Sequence, residues 1–162
     1  METEMTIHEH WMHEALLEAA DAAAHGEVPI GAIAIVDNEV IARGHNTREE
    51  THNPLDHAEM VLLKTLAREY GDWRFNDVTV YVTCEPCIMC MGALIHARVP
   101  RLVFGCFEPK TGACGSLYDF SQDTRLNHQI EVIPGVLHDQ CAMQLREFFK
   151  TLRDTKNSEL QQ

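Results

Sequence analysis

The stretch VTVYVTCEPCIMC, residues 78–90, joins two incompatible periodicities. Residues 78–83 alternate β-branched and aromatic side chains, the pattern of a strand. Pro86 then suits the first turn of a helix running to about Ala97. Cys84, Cys87 and Cys90 straddle that junction at regular three-residue spacing. A chain that uses these thiols must bring a strand end and a helix start to one point.

What the cysteines hold depends on their partners. The run begins like a bacterial ferredoxin motif, but that motif continues Cys-x3-Cys-Pro. Here the next cysteine is Cys106, on the predicted strand RLVFGC (101–106), so an iron–sulfur cluster is disfavoured. Six cysteines among 162 residues point to metal binding or buried thiols rather than a disulfide framework. Of the ten histidines, His8, His10 and His13 fall on an acidic helix and read as an exposed surface cluster. His57 differs, because it sits at a predicted helix start with Glu59 two residues on. In a regular helix such a pair points about 200° apart. At an N-terminus one residue can lie in the cap region while the other lies in the first turn, and both can face one cavity. Cys87 and Cys90 lie at i and i+3 of the other helix start, on one face. Backbone N–H groups there favour thiolates.

Two zinc arrangements follow. If Cys84 joins His57, Cys87 and Cys90, the site is Cys3His, closed and structural. If Cys84 stays out, a fourth position is left for water, which zinc acidifies towards a pKa of about 7. Glu59 favours the open arrangement: a carboxylate beside an acidified water has a proton to move. Cys84 ends a strand, so its side chain need not face the metal.

Around this pair of junctions the chain alternates helices and strands. Thr6-x-x-Glu9 reads as a capping box, followed by an apolar stripe of Met12, Ala15, Leu16, Ala19 and Ala23. That helix ends near Gly26, before Pro29. PIGAIAIV (29–36) and EVIARGHN (39–46) read as antiparallel strands turned at Asp37-Asn38. A loop with Asn53-Pro54 leads to a helix over about 57–70, and IEVIPG holds a short strand at 130–133. A helix from about His138 past Phe149 closes the chain. The expected fold is α/β, with helices on both faces of one mixed five-stranded sheet. One domain spans 1–162, with a core over about 6–150; the tail over about 154–162 is a candidate for disorder.

The net charge of −12 is unusual for a nucleic-acid partner, but seven of the 25 acids lie in residues 1–28, which hold no Lys or Arg. Contacts to RNA would have to come from clusters such as Arg98/Arg101/Lys110 or Arg146/Lys150/Arg153/Lys156. The start, METEMTIHEH, has no basic segment followed by an apolar one, and the longest apolar run, 30–36, is too short to span a bilayer. A cytoplasmic protein is expected.

H-x-E followed by P-C-x-x-C is the signature of zinc-dependent nucleobase deaminases, and it stands here as His57-Ala58-Glu59 and Pro86-Cys87-Ile88-Met89-Cys90. Over nearly its whole length the sequence resembles the bacterial tRNA-specific adenosine deaminases. The stretches that carry the resemblance include EVPIGAIAIVDN, NPLDHAEM, YVTCEPCIMCMGALIHARVPRLVFG, PKTGACGSL and GVLHDQCAMQLREFF. The resemblance implies a cytidine-deaminase-like three-layer α/β/α sandwich, a homodimer, and conversion of adenosine to inosine at the wobble position of a tRNA anticodon, typically in arginine tRNA. By position it implies zinc on His57, Cys87 and Cys90, proton transfer by Glu59, base recognition by Asn46, and a pocket wall from Val28 and Pro29. It further implies RNA contacts at Glu108, Lys110, Phe148, Phe149 and Arg153. Three positions depart from the family: Asp56 and Cys84, where Ala and Leu are common, and Glu108, where Asp is usual. The alternatives are a deaminase of free guanine, cytosine or nucleosides, and a non-catalytic zinc-stabilised RNA-binding module.

Overall fold

The β-branched segments form one sheet, and the amphipathic segments cover both of its faces. A computed structural model describes residues 2–162. Its elements are α1 (Glu2–Ala24), β1 (Gly31–Val36), β2 (Glu39–His45), α2 (Arg48–Thr51), α3 (Ala58–Tyr70), β3 (Thr79–Cys84), α4 (Ile88–His96), β4 (Arg101–Cys106), β5 (Glu131–Ile133) and α5 (His138–Leu160). The strand order is β2-β1-β3-β4-β5. β1 pairs antiparallel with both β2 and β3, whereas β3–β4 and β4–β5 are parallel. The mixed five-stranded sheet is therefore as expected. Asp37 and Asn38 both adopt positive φ, 49° and 63°, which is the geometry of a tight primed hairpin turn.

Side chains alternate across the sheet and build two cores. Ala32, Ala34, Val80, Val82, Leu102 and Phe104 meet Leu62 and Leu66 of α3 and Met91 and Leu94 of α4. Ile33, Ile35, Tyr81 and Val103 meet Trp11, Met12 and Ala15 of α1 and Cys141 of α5. The three layers are α1/α5, the sheet, and α3/α4. Gly44 lets α3 approach β2 closely: a Cβ there would sit 2.7 Å from the Leu62 backbone nitrogen and 2.8 Å from the Ala58 carbonyl oxygen. Among the described residues no helix is long and apolar enough to cross a membrane.

Four expectations change. α1 begins at Glu2, so Thr6 falls inside it rather than at its start; the Thr6 side chain lies outside the described residues. His8 is buried, not exposed, with its Nδ1 2.8 Å from the Tyr81 hydroxyl; His10 and His13 are exposed. Pro86 sits one residue before the cap of α4, because Cys87 takes the cap position itself. Residues 154–160, expected as a tail, continue α5 as exposed helix.

Because an added methyl at Gly44 meets backbone on a helix that cannot give way cheaply, Gly44→Ala should destabilise the fold by about 1–3 kcal/mol. Urea unfolding should show a lower midpoint with an unchanged m-value.

Candidate active site

Two helix N-termini meet at the C-terminal end of β3. His57 is the N-cap of α3 and Cys87 the N-cap of α4, both in extended backbone and neither making a side-chain cap hydrogen bond. Their side chains are thereby free to point at each other. His57 Nδ1 lies 3.6 Å from Cys87 Sγ and 3.6 Å from Cys90 Sγ. All three ligand atoms lie within 4.8 Å of one another. Zn–S near 2.3 Å and Zn–N near 2.0–2.1 Å at tetrahedral angles put a sulfur and a nitrogen about 3.5–3.6 Å apart. The donor set and its spacing therefore fit a tetrahedral zinc. Cys84 is not in this group; it is buried and interacts with Cys106, its partner across β3 and β4.

The electrostatics suit metal ligation. Cys87 is pulled down to about 4, first by the hydrogen bond from Cys90 and then, against its burial, by His57. Cys90 moves up because it is the donor of that pair and is buried. Such a thiolate–thiol pair loses its remaining proton when a cation binds. Glu59, in the first turn of α3, is 4% exposed. Burial pushes its carboxyl up to about 7, and the charge on Cys87 adds to this while His57 opposes it.

One hollow adjoins the cluster, and a second lies beside Asn46. The first, a small one of about 80 Å³, is bordered by His57, Glu59, Cys84, Cys87, Glu108 and Thr111. The second, a larger one of about 500 Å³, is bordered by Val28, Asn46, Arg48, Phe148, Phe149 and Leu152. Asn46 is buried, and its Oδ1 accepts the Ala58 N–H at 2.9 Å. Its carbonyl thus ties down the start of α3, and its amino group is the end left to read a ligand. Pro29 is buried and borders neither hollow. Lys110 and Arg153 are exposed and also border neither. Glu108 accepts the Lys110 N–H at 3.0 Å and so shapes its own loop. Arg101 pairs with Glu131 at 3.1 Å, whereas Arg98 donates to the neutral Ile95 carbonyl and keeps its charge. A hollow of about 640 Å³ outside α2 and α3 has no ligand cluster: its Lys64 is paired with Asp56 at 2.5 Å. Asp56 also accepts from Thr51, so it reaches away from the thiols next to its neighbour His57.

Two site-building carboxylates carry no sequence signal of their own role. Glu27, 2% exposed, accepts the Glu49 and Glu50 N–H groups at 3.0 and 2.8 Å and holds α2 beside the larger hollow. Glu85, 3% exposed, lies between the ligand-bearing ends of β3 and α4 and accepts hydrogen bonds from the 107–118 loop.

This arrangement recurs in known proteins. Residues 5–106 match the family model for the cytidine and deoxycytidylate deaminase zinc-binding region. The chain is 46% identical over 154 residues to a tRNA-specific adenosine deaminase of Bacillus subtilis (strain 168), covering 95% of this chain and 96% of that one. The chain belongs to the tRNA-specific adenosine deaminase family. A relative of that family from Haemophilus influenzae is 41% identical over 152 residues, covering 93% of this chain and 88% of the other. A solved structure from work on A-to-I editing by tRNA:A34 deaminases superposes with a TM-score of 0.81 at 37% identity, covering 84% of this chain and 99% of that one. A guanine deaminase from Nitrosomonas europaea, at 21% identity and a TM-score of 0.75, covering 86% and 83%, shares the fold alone. For a deaminase-family site with three protein ligands, Cys84→Ser should retain one zinc per chain. Cys87→Ser and Cys90→Ser should lose it, as read by elemental analysis of dialysed protein. Loss of zinc from the Cys84 variant would contradict the three-ligand reading.

Proposed function

We propose that the chain hydrolyses adenosine to inosine and ammonia at the wobble position of a tRNA anticodon, with arginine tRNA as the expected substrate. The observation that supports this most is the buried carboxyl of Glu59 beside a His57/Cys87/Cys90 donor set spaced for tetrahedral zinc. Zinc held there supplies Lewis acidity that activates a water molecule at neutral pH.

The chain's own groups do the rest. Glu59 accepts the proton that the attacking water gives up at C6 of adenine. It delivers that proton to the ring nitrogen, then takes the second proton from the hydroxyl now on C6 and passes it to the exocyclic amine, so that C6=O forms as the C6–N bond breaks and ammonia leaves. A carboxyl whose burial favours the protonated form suits that shuttle. Asn46 presents its amide to the base and, through Ala58, keeps the α3 start in place. Phe148 and Phe149 offer aromatic faces beside Val28 and Asn46, where an unstacked anticodon base can pack.

Phosphate contacts need basic groups despite the overall charge. Arg146, Lys150 and Arg153 are exposed on α5 at i, i+4 and i+7, a stripe along one face of the helix that carries Phe148 and Phe149. Glu108 borders the small cavity, and the exposed Lys110 stands two residues further along the same loop. A homodimer of cytoplasmic enzyme is the expected assembly. Ile88, Phe120 and Leu126 border an apolar cleft beside α4 that a second copy would cover. Sedimentation at the mass of two chains is the expected outcome, and a monomer mass would contradict it.

An anticodon stem-loop carrying A34 should accumulate inosine, whereas free adenosine, guanine and cytidine should not be turned over at comparable rates. Glu59→Ala should keep its zinc and lose activity by about 10²–10⁴-fold or more, the scale of a removed general acid–base group. Full activity in that variant would remove Glu59 from the mechanism. Equal turnover of free bases would replace the RNA substrate with a small-molecule one.

A further inference from the structure

Glu85 is a buried carboxylate for which the proposed proton transfers have no use. Its four hydrogen bonds from loop residues all come from one loop. Oε1 accepts the Glu108 N–H at 3.1 Å and the Ser116 hydroxyl; Oε2 accepts the Cys114 N–H at 3.3 Å and the Ser116 N–H at 3.0 Å. A carboxylate has about four acceptor positions, so this one is saturated by residues 108–116. Its own backbone N–H is fixed to the Cys106 carbonyl at 2.9 Å. The loop is thus anchored to the short link between Cys84 and Cys87. Gly112 lies so close that an added Cβ would overlap the Glu85 carboxylate. The Ala113 N–H also donates to the Pro86 carbonyl at 2.8 Å, so the loop lies against the ligand-bearing turn over several residues. Glu85, Glu108 and Thr111 all border the small cavity with His57 and Glu59.

We infer that Glu85 is a positioning residue for the substrate: its carboxylate fixes the 107–118 loop over the small cavity and so sets how tightly RNA is held. The inference rests on the RNA reading above only for its kinetic readout. The physical case is one of unmatched donors. Replacing Glu85 with Gln turns one acceptor oxygen into an amino group. The Ser116 hydroxyl can rotate to accept from it, but each of the backbone N–H groups of Glu108, Cys114 and Ser116 can only donate. At least one backbone donor then faces another donor. The loop must move away, carrying Glu108 and Lys110 with it, while the start of α3, with His57 and Glu59, keeps its own anchor through Asn46.

The test uses the full-length, zinc-loaded protein with Glu85→Gln and Ser116→Ala. In Glu85→Gln, amide exchange at Glu108, Cys114 and Ser116 should accelerate about tenfold or more, the scale of one buried donor left unpaired. Zinc stoichiometry should be unchanged. KM for an A34 stem-loop should rise about tenfold while kcat changes much less, the signature of lost binding rather than lost chemistry. Ser116→Ala removes one of the four donors to Glu85 and should move exchange and KM the same way by less. It carries the test if Glu85→Gln does not fold. Unchanged loop exchange would overturn the inference. So would faster exchange with an unmoved KM, or a fall confined to kcat. If the wild type does not deaminate RNA at all, the function reading fails, and the exchange measurements alone decide whether Glu85 holds the loop.

Discussion

Everything in the site depends on two helix starts, 30 residues apart in sequence, meeting at 3.6 Å. Helix N-termini leave N–H groups without intrahelical partners, and most proteins use Ser, Thr, Asp or Asn to satisfy them. Here the two cap positions are spent on His57 and Cys87, which make no cap hydrogen bond. A missing cap costs roughly 0.5–2 kcal/mol per helix. Part of that is offset at α3, where the side chain of Asn46 accepts the Ala58 N–H. The same side chain borders the larger hollow. Sheet order does the long-range work: β3 and β4 are parallel neighbours, and α4, between them in sequence, opens at the edge where α3 also begins.

The buried carboxylates give the charge of −12 a different meaning. Glu27, Asp56, Glu59 and Glu85 are all at most 4% exposed. Glu27 and Glu85 accept backbone N–H groups, Asp56 is paired with Lys64, and Glu59 stands at the ligand cluster. Of these acids only Asp56 has a cationic partner, while Glu27 and Glu85 spend their oxygens holding the segments that flank the site. The acidic α1 packs on the sheet face opposite α3 and α4, whose starts carry the ligands, and shares its layer with α5. Asp56 is held below its ordinary value by Lys64 and then Thr51, and ties α2 to α3 just before His57.

Much of this was legible in the chain. Alternation placed β3 and β4 to within a residue, Asp37-Asn38 gave the hairpin, and the H-A-E and P-C-x-x-C pairs located the ligand cluster. What stayed hidden depends on tertiary partners. α2 has four residues and no buried side chain, so no periodicity announces it. His8 reads as surface until Tyr81 arrives from a strand 73 residues away. Glu27 and Glu85 look like ordinary surface acids because their partners are backbone N–H groups, which leave no mark in a sequence. The expected exclusion of Cys84 from the ligand group rested on its place at a strand end, and its side chain does turn to Cys106.

The central claim is an open zinc site with three protein ligands. X-ray absorption at the zinc edge of the full chain tests it most directly. Two sulfurs near 2.3 Å with two lighter scatterers near 2.0–2.1 Å would match His57, Cys87, Cys90 and one solvent position. Three sulfurs and one nitrogen would bring Cys84 into the shell, close the site, and contradict a hydrolytic role for it.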